Sequence, residues 1–141
     1  MLNPWYVTGL CDGEAAFTYS RTGGSFGVYF GLKQREDNRQ IVEEIQRYFG
    51  YIGNIYRGKE SNPTKNSGLT KPSAYYRVTR AGELKRIIDH FDKYPLQSKK
   101  RQEAYHIWRD MVIHKLENYR NTDYDKLRRL AERLSSLNMR R

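Results

Sequence analysis

The sequence holds 141 residues, enough for one domain, residues 1–141, with a sheet and several helices around a real core. Lys and Arg number 26 against 16 Asp and Glu, and the formal net charge of +10 favours a polyanionic partner, nucleic acid first among them. The single cysteine excludes an internal disulfide, no Cys/His spacing suits zinc, and no apolar run reaches the length of a membrane span.

The first residues lack the n-region and h-region of a signal peptide, and no helical segment sets a wide apolar face against a purely basic one. An intracellular protein without a membrane partner is expected. Cytoplasm, nucleoid and organelle (mitochondrion or chloroplast) are not distinguished by the residues present.

In chain order, Asn3 can cap a helix and Pro4 suits its first turn, so a short helix is expected from Pro4 to Asp12 or Gly13. Gly9 and Gly13 are four apart and share one helix face, which they leave without side chains and open to a partner's backbone. Asp12 and Glu14 fall at the C-terminal end, where the macrodipole disfavours negative charge by roughly 0.3 to 1 kcal/mol each. With no basic neighbour in the segment, the pair calls for an external cation. Cys11 is expected to pack as a small hydrophobe. Taken alone, two glycines and two acids read more readily as a capping turn followed by an exposed acidic pair.

From Ala16 to Arg21 the residues alternate, with Phe17 and Tyr19 on one face and Thr18 and Ser20 on the other, as in a half-buried strand. Thr22-Gly23-Gly24 makes the turn into a second strand, Ser25 to Gln34. In it Phe26, Val28, Phe30 and Leu32 oppose Ser25, Gly27, Tyr29, Gly31 and Lys33. Ile41, Val42, Ile45 and Phe49 recur at helical spacing, predicting a helix from about Asp37 to Phe49. A third strand is expected over Ile52 to Arg57, then a polar loop over residues 58–71. The fourth strand, Ser73 to Arg80, turns Tyr76 and Val78 inward and Tyr75, Arg77 and Thr79 outward.

Leu84, Ile87, Ile88 and Phe91 predict a helix from Gly82 to near Tyr94, followed by an extended link over residues 95–100. Two further helices are expected, about Arg101 to Glu117 and about Tyr124 to Asn138, the second capped by Asp123. No internal repeat and no second copy of the N-terminal segment are evident.

The order of residues from Val7 to Ala15 resembles the signature motif of the LAGLIDADG homing endonucleases. Gly9, Leu10 and Asp12 match it, Cys11 takes an aliphatic position, and Gly13 and Glu14 are common variants. Thr8 stands in place of a small Ala, and Ala15 in place of the final Gly. The resemblance extends through Gln34, Gly53-Asn54-Ile55 and residues 95–100 and covers essentially the whole chain. It implies an α+β fold, αββαββα, in which a four-stranded antiparallel saddle-shaped sheet is covered by helices, with extra C-terminal helices beyond that core.

The same resemblance implies a metal-dependent DNA endonuclease hydrolysing phosphodiesters. Glu14 would be the metal ligand with help from the Gly13 carbonyl, and Asp12 would be structural. Gln34 would position the nucleophilic water, and Lys99 would be the basic residue near the reaction, with Lys100 one position away. Asn38 or Arg39 would fill a peripheral polar position. Mg²⁺ is the expected ion, because it takes oxygen ligands through one or two carboxylates plus substrate phosphates.

The polar sheet face, with Thr18, Ser20, Ser25, Tyr29, Lys33, Tyr56, Tyr75, Arg77 and Thr79, offers groups that can read base edges in the major groove of double-stranded DNA. With a single motif, Gly9, Asp12 and Gly13 are expected at a two-fold interface between identical chains, which matches a long, near-palindromic site cut with a stagger. A second reading stays open, a nuclease-inactive RNA maturase or intron-splicing cofactor of the same fold that binds host-intron RNA.

Overall fold

The computed structural model describes residues 2–58 and 72–139. The predicted polar loop falls, from residue 59 to 71, outside the described residues. The elements in order are α1 (Pro4–Glu14), β1 (Ala15–Thr22), β2 (Ser25–Arg35), a 3-10 turn at Glu36–Asn38, α2 (Arg39–Tyr48), β3 (Asn54–Gly58), β4 (Ser73–Val78), α3 (Ala81–Lys93), α4 (Lys99–Glu117) and α5 (Tyr124–Met139). The strands form one antiparallel sheet ordered β1-β2-β4-β3. This is the α+β architecture expected, with α4 and α5 added.

The Asn3 side chain accepts from the Trp5 amide at 2.8 Å and Pro4 opens α1, as the capping pattern predicts. The end of that helix differs from expectation. It runs through Glu14, and Ala15 passes straight into β1 in an extended conformation, φ −81° and ψ 154°, so no left-handed residue is needed there. The third strand starts later than predicted because Gly50, Tyr51 and Gly53 all take positive φ and carry the chain around a turn first. The residues 37–49 segment divides into the 3-10 turn and α2, and Asn38 makes no side-chain cap.

Alternation puts Phe17, Phe26, Val28, Phe30, Leu32, Tyr76 and Val78 on the covered face of the sheet, all buried. Phe17, the first large side chain of β1, is the hub. Its ring lies 5.1 to 5.5 Å from those of Phe30, Phe91, Tyr105 and Trp108, so β1 is clamped to β2, α3 and α4 together. Edge-to-face pairs of this kind add about 0.5 to 1.5 kcal/mol each beyond area burial. Arg109 grips Asp92 with two guanidinium nitrogens at 2.8 to 3.0 Å, tying α4 to α3.

Two polar devices fix α1. At its C-terminal end the Asp12 carboxylate accepts from the amides of Gln97 and Ser98 at 2.9 Å each, just where α4 begins. This anchoring converts the end of the expected extended link into helix, which starts at Lys99 rather than Arg101. Arg101 reaches back from the first turn of α4. Its Nε donates to the Asp12 carbonyl at 3.1 Å and its Nη2 to the carbonyls of Cys11, at 3.0 Å, and Ala15. The Asp12 carboxylate thus finds partners within the chain, where the charge pattern of the segment alone calls for an external cation. Farther back, Thr8 donates to the Tyr94 carbonyl at 2.7 Å, so it accepts from His90 Nε2 at 2.9 Å. His90 Nδ1 then accepts from the Tyr48 hydroxyl at 2.9 Å. Neutral His90 satisfies both neighbours, and burial pushes its pKa down to about 4.

Two outcomes follow from these devices. Arg101→Ala should lower unfolding free energy by about 2 kcal/mol, since charged hydrogen bonds contribute roughly 1.5 to 3 kcal/mol, and Arg101→Lys should recover only part of it for want of a fork. Urea unfolding of the three proteins measures this. The unfolded chain protonates His90 near pH 6.5 while the folded chain resists until about 4. His90 therefore contributes stability that is complete above pH 6.5 and is lost as the pH falls toward 4. Denaturation midpoints at pH 7 and pH 5 should separate for the parent protein and draw together in His90→Gln.

Candidate active site and nucleic-acid interface

Asp12 and Glu14, two residues apart, meet opposite fates. The Asp12 Oδ2 atom is held at the start of α4, where the positive end of the helix dipole favours it, while its Oδ1 is buried without a partner. Glu14 is exposed and makes no ion pair or side-chain hydrogen bond among the described residues. It lines an open cavity of about 480 Å³ together with Gly13, Thr18, Lys100, Arg101 and Asn138. Cys11, on the same turn, is fully buried, and burial pushes its thiol up to about 12, which makes it inert packing.

Among the described residues no cluster of three or more His, Cys, Asp or Glu side chains could hold a metal by itself. The donor set at the end of α1 is one carboxylate and the carbonyl of Gly13, which the Arg101 fork bypasses. All-oxygen and sparse, it suits a hard cation completed by phosphates and waters rather than a closed protein cage.

Of the two candidate lysines, Lys100 lines the cavity with Glu14, whereas Lys99 is exposed one position earlier and is not part of its lining. Gln34 lies two residues beyond Leu32, the register partner of Ala15, and so at the same end of the sheet as Glu14 but outside that cavity. Asn38 is exposed in the 3-10 turn, and Arg39 is paired to Glu36 at 2.6 Å, which holds that carboxyl below its usual range.

The register puts the other candidates on the open face of the sheet. Thr18 faces Tyr29, Ser20 faces Gly27, and Lys33, Tyr75 and Tyr56 form one row across β2, β4 and β3. Ala16, Gly31, Arg77 and Asn54 form the next. Ser25 begins β2, and Thr79 is exposed just past the end of β4. The Arg77 guanidinium lies 4.0 Å over the Tyr29 ring. Burial and the neighbouring Tyr29 hydroxyl raise the Tyr75 phenol.

Sequence reasoning missed Arg101, Thr8, His90 and Asn138. The one signal for Arg101 was the absence of a cation near two acids at a helix C-terminus, which asks for a donor without saying where in the chain it lies.

A model of the LAGLIDADG endonuclease family matches residues 7–112. The Neurospora crassa protein named "Probable intron-encoded endonuclease 2" is 29% identical over 145 residues, covering 97% of this chain and 29% of its own length. A Schizosaccharomyces pombe protein, also named a probable intron-encoded endonuclease, is 29% identical over 132 residues, covering 90% of this chain and 31% of its own. The chain thus spans under a third of the length of these relatives.

Among solved structures, I-SmaMI bound to uncleaved DNA in the presence of calcium ions superposes with a TM-score of 0.79 at 22% identity, over 96% of this chain and 46% of its own. The meganuclease I-AabMI bound to uncleaved DNA gives 0.72 at 26%, over 96% and 43%. The homing endonuclease I-TnaI gives 0.74 at 22%, over 96% and 95%. The family model takes in three quarters of the sequence, the N-terminal motif included, and the chain belongs to the LAGLIDADG endonuclease family.

Proposed function

We propose that this chain is a site-specific homing endonuclease that pairs with a second copy of itself and makes a staggered double-strand break in a long, near-palindromic DNA site. One observation carries the reading: Glu14, a carboxylate without a partner among the described residues, stands at the end of a helix with a bare glycine face and leads into a sheet whose open face is polar and basic. A side chain at Gly9 or Gly13 would meet nothing within 4 Å, so the chain's own packing does not account for either glycine. A second α1 laid against them would bring two Glu14 residues near one axis, in an isologous contact.

The length of β1, eight residues, spans about 26 Å at roughly 3.3 Å per residue, or about eight base pairs, so each copy would follow one half-site. Glu14 and the Gly13 carbonyl would hold the divalent cation, Mg²⁺ in this reading, which when bound polarises a phosphate and lowers the pKa of a coordinated water. Gln34 would orient the attacking water through its amide. Lys100, placed in the Glu14 cavity, or Lys99 beside it, would offset the negative charge that develops on the phosphate oxygens. The DNA in the structures of I-SmaMI and I-AabMI supports duplex DNA as the substrate class.

Glu14→Gln should abolish nicking of a target-bearing supercoiled plasmid while leaving mobility-shift affinity within a few-fold. Continued cutting by this variant would remove Glu14 from the metal site. Gly9→Leu should leave the monomer folded, because the space is open and leucine is the better helix former, but should shift sedimentation from dimer to monomer and abolish double-strand cleavage. A dimer of unchanged strength would remove the α1 interface.

A further inference from the structure

We infer that Arg77 is a base-reading residue that selects a guanine in each half-site, close to the cleaved phosphates; this deepens the DNA-cleaving reading above and rests on it. Arginine on a protein surface is usually a mobile charge, but Arg77 is not placed like one. Its guanidinium carbon lies 4.0 Å over the ring of Tyr29 and 5.7 Å from that of Tyr75, and its Nε is buried with no hydrogen-bond partner among the described residues. It joins no carboxylate among the described ion pairs.

The clamp is built into the strands around it. A Cβ at Gly31 would come within 2.8 Å of the Tyr75 hydroxyl, so a glycine there is what lets the Tyr75 ring lie across β2 toward Tyr29. A planar, permanently charged fork stacked on aromatic rings has already lost much of its rotamer freedom and needs little further ordering to bind.

Position separates a base contact from a phosphate contact. β2 and β4 are the two inner strands of the sheet, and Arg77 is on β4 with neighbours on both sides. A major groove about 12 Å wide takes two strands at its floor, which turns inner-strand side chains toward base edges and leaves outer strands near the phosphate walls. A fixed guanidinium fork facing base edges matches the O6 and N7 acceptors of guanine better than any other base. The register gives its place along the site. Arg77 shares a row with Ala16, two residues past Glu14, and two inter-strand steps of about 4.8 Å put the guanine within about four base pairs of the phosphate above Glu14.

The test is selection of bound duplexes from a randomised library, using the full chain without divalent cation, for the parent protein, Arg77→Lys, Arg77→Gln and Gly31→Val. The parent should enrich one guanine column per half-site. Arg77→Lys, which keeps the charge but not the fork, should lose that column alone, and affinity for the parent consensus should fall roughly 10- to 100-fold while affinity for scrambled DNA holds. Gly31→Val, which displaces the Tyr75 ring and crowds Arg77 from the position directly across the strand pair, should weaken the same column. Retention of the guanine column in both Arg77 variants would overturn the inference. So would equal weakening on consensus and scrambled DNA with a salt slope reduced by about one, the mark of a phosphate contact. Enrichment of no site by the folded parent would instead sink the DNA-cleaving reading, and this one with it.

Discussion

The structure depends on a reciprocal exchange of charge between two helix ends. Where α1 ends and β1 begins, the carbonyls of Cys11, Asp12 and Ala15 all accept from one cation of α4, Arg101. The N-terminus of α4 presents bare amides, and an anion from α1, Asp12, accepts from two adjacent ones. Each charge sits at the dipole end of the other helix that favours it, and each closes groups that a buried helix end would otherwise leave unmet. The exchange sorts the two motif acids. Asp12 is consumed by the fold. Glu14, one step outside the fork, is left as an exposed carboxylate with an open cavity beside it.

From that junction the two faces of the sheet take separate tasks. Phe17 follows the junction by two residues, and its contacts with α3, α4 and β2 make the covered face rigid. Trp108 adds a hydrogen bond from its indole to the Tyr29 carbonyl at 2.9 Å, which fixes the β2 backbone at the very residue whose side chain lies under Arg77 on the opposite face. The geometry of the open face is thus set by buried aromatic packing a strand's thickness away. Lys115, donating to the Phe26 carbonyl at 2.7 Å, ties the start of the same strand to α4.

What could be read beforehand was whatever is encoded locally. The Asn3 cap, Pro4, the alternation of β1 and β2 and the helical spacing of α2 and α3 all place themselves by neighbours a few residues away, and the structure keeps them. Glu14 stood out for the same reason, being an acid at the wrong end of a short helix. Arg101 is 86 residues from the Ala15 carbonyl it meets, and Thr8 is 82 from His90. Any donor anywhere in the chain could have served those carbonyls, so no pattern marks the one that does. The late start of β3 escaped because Gly53, inside the expected strand, takes φ 72°, a conformation that glycine admits readily and that composition alone does not announce.

The two glycines of α1 carry a cost. Each costs the helix up to about 1 kcal/mol relative to alanine, and neither is needed to admit a neighbour within the chain, since a Cβ at either position would face open space. Contrast Gly31, where Tyr75 occupies the room a side chain would take, so that its absence is explained inside the fold. A helix that carries two glycines on one face, with exposed Trp5 and Tyr6 a turn before them, offers a surface that a second helix can approach closely. In the reading proposed above that surface and the exposed carboxylate have a common cause. One glycine-lined contact would compensate the helix for its lost side chains, and would also set a second acid beside Glu14.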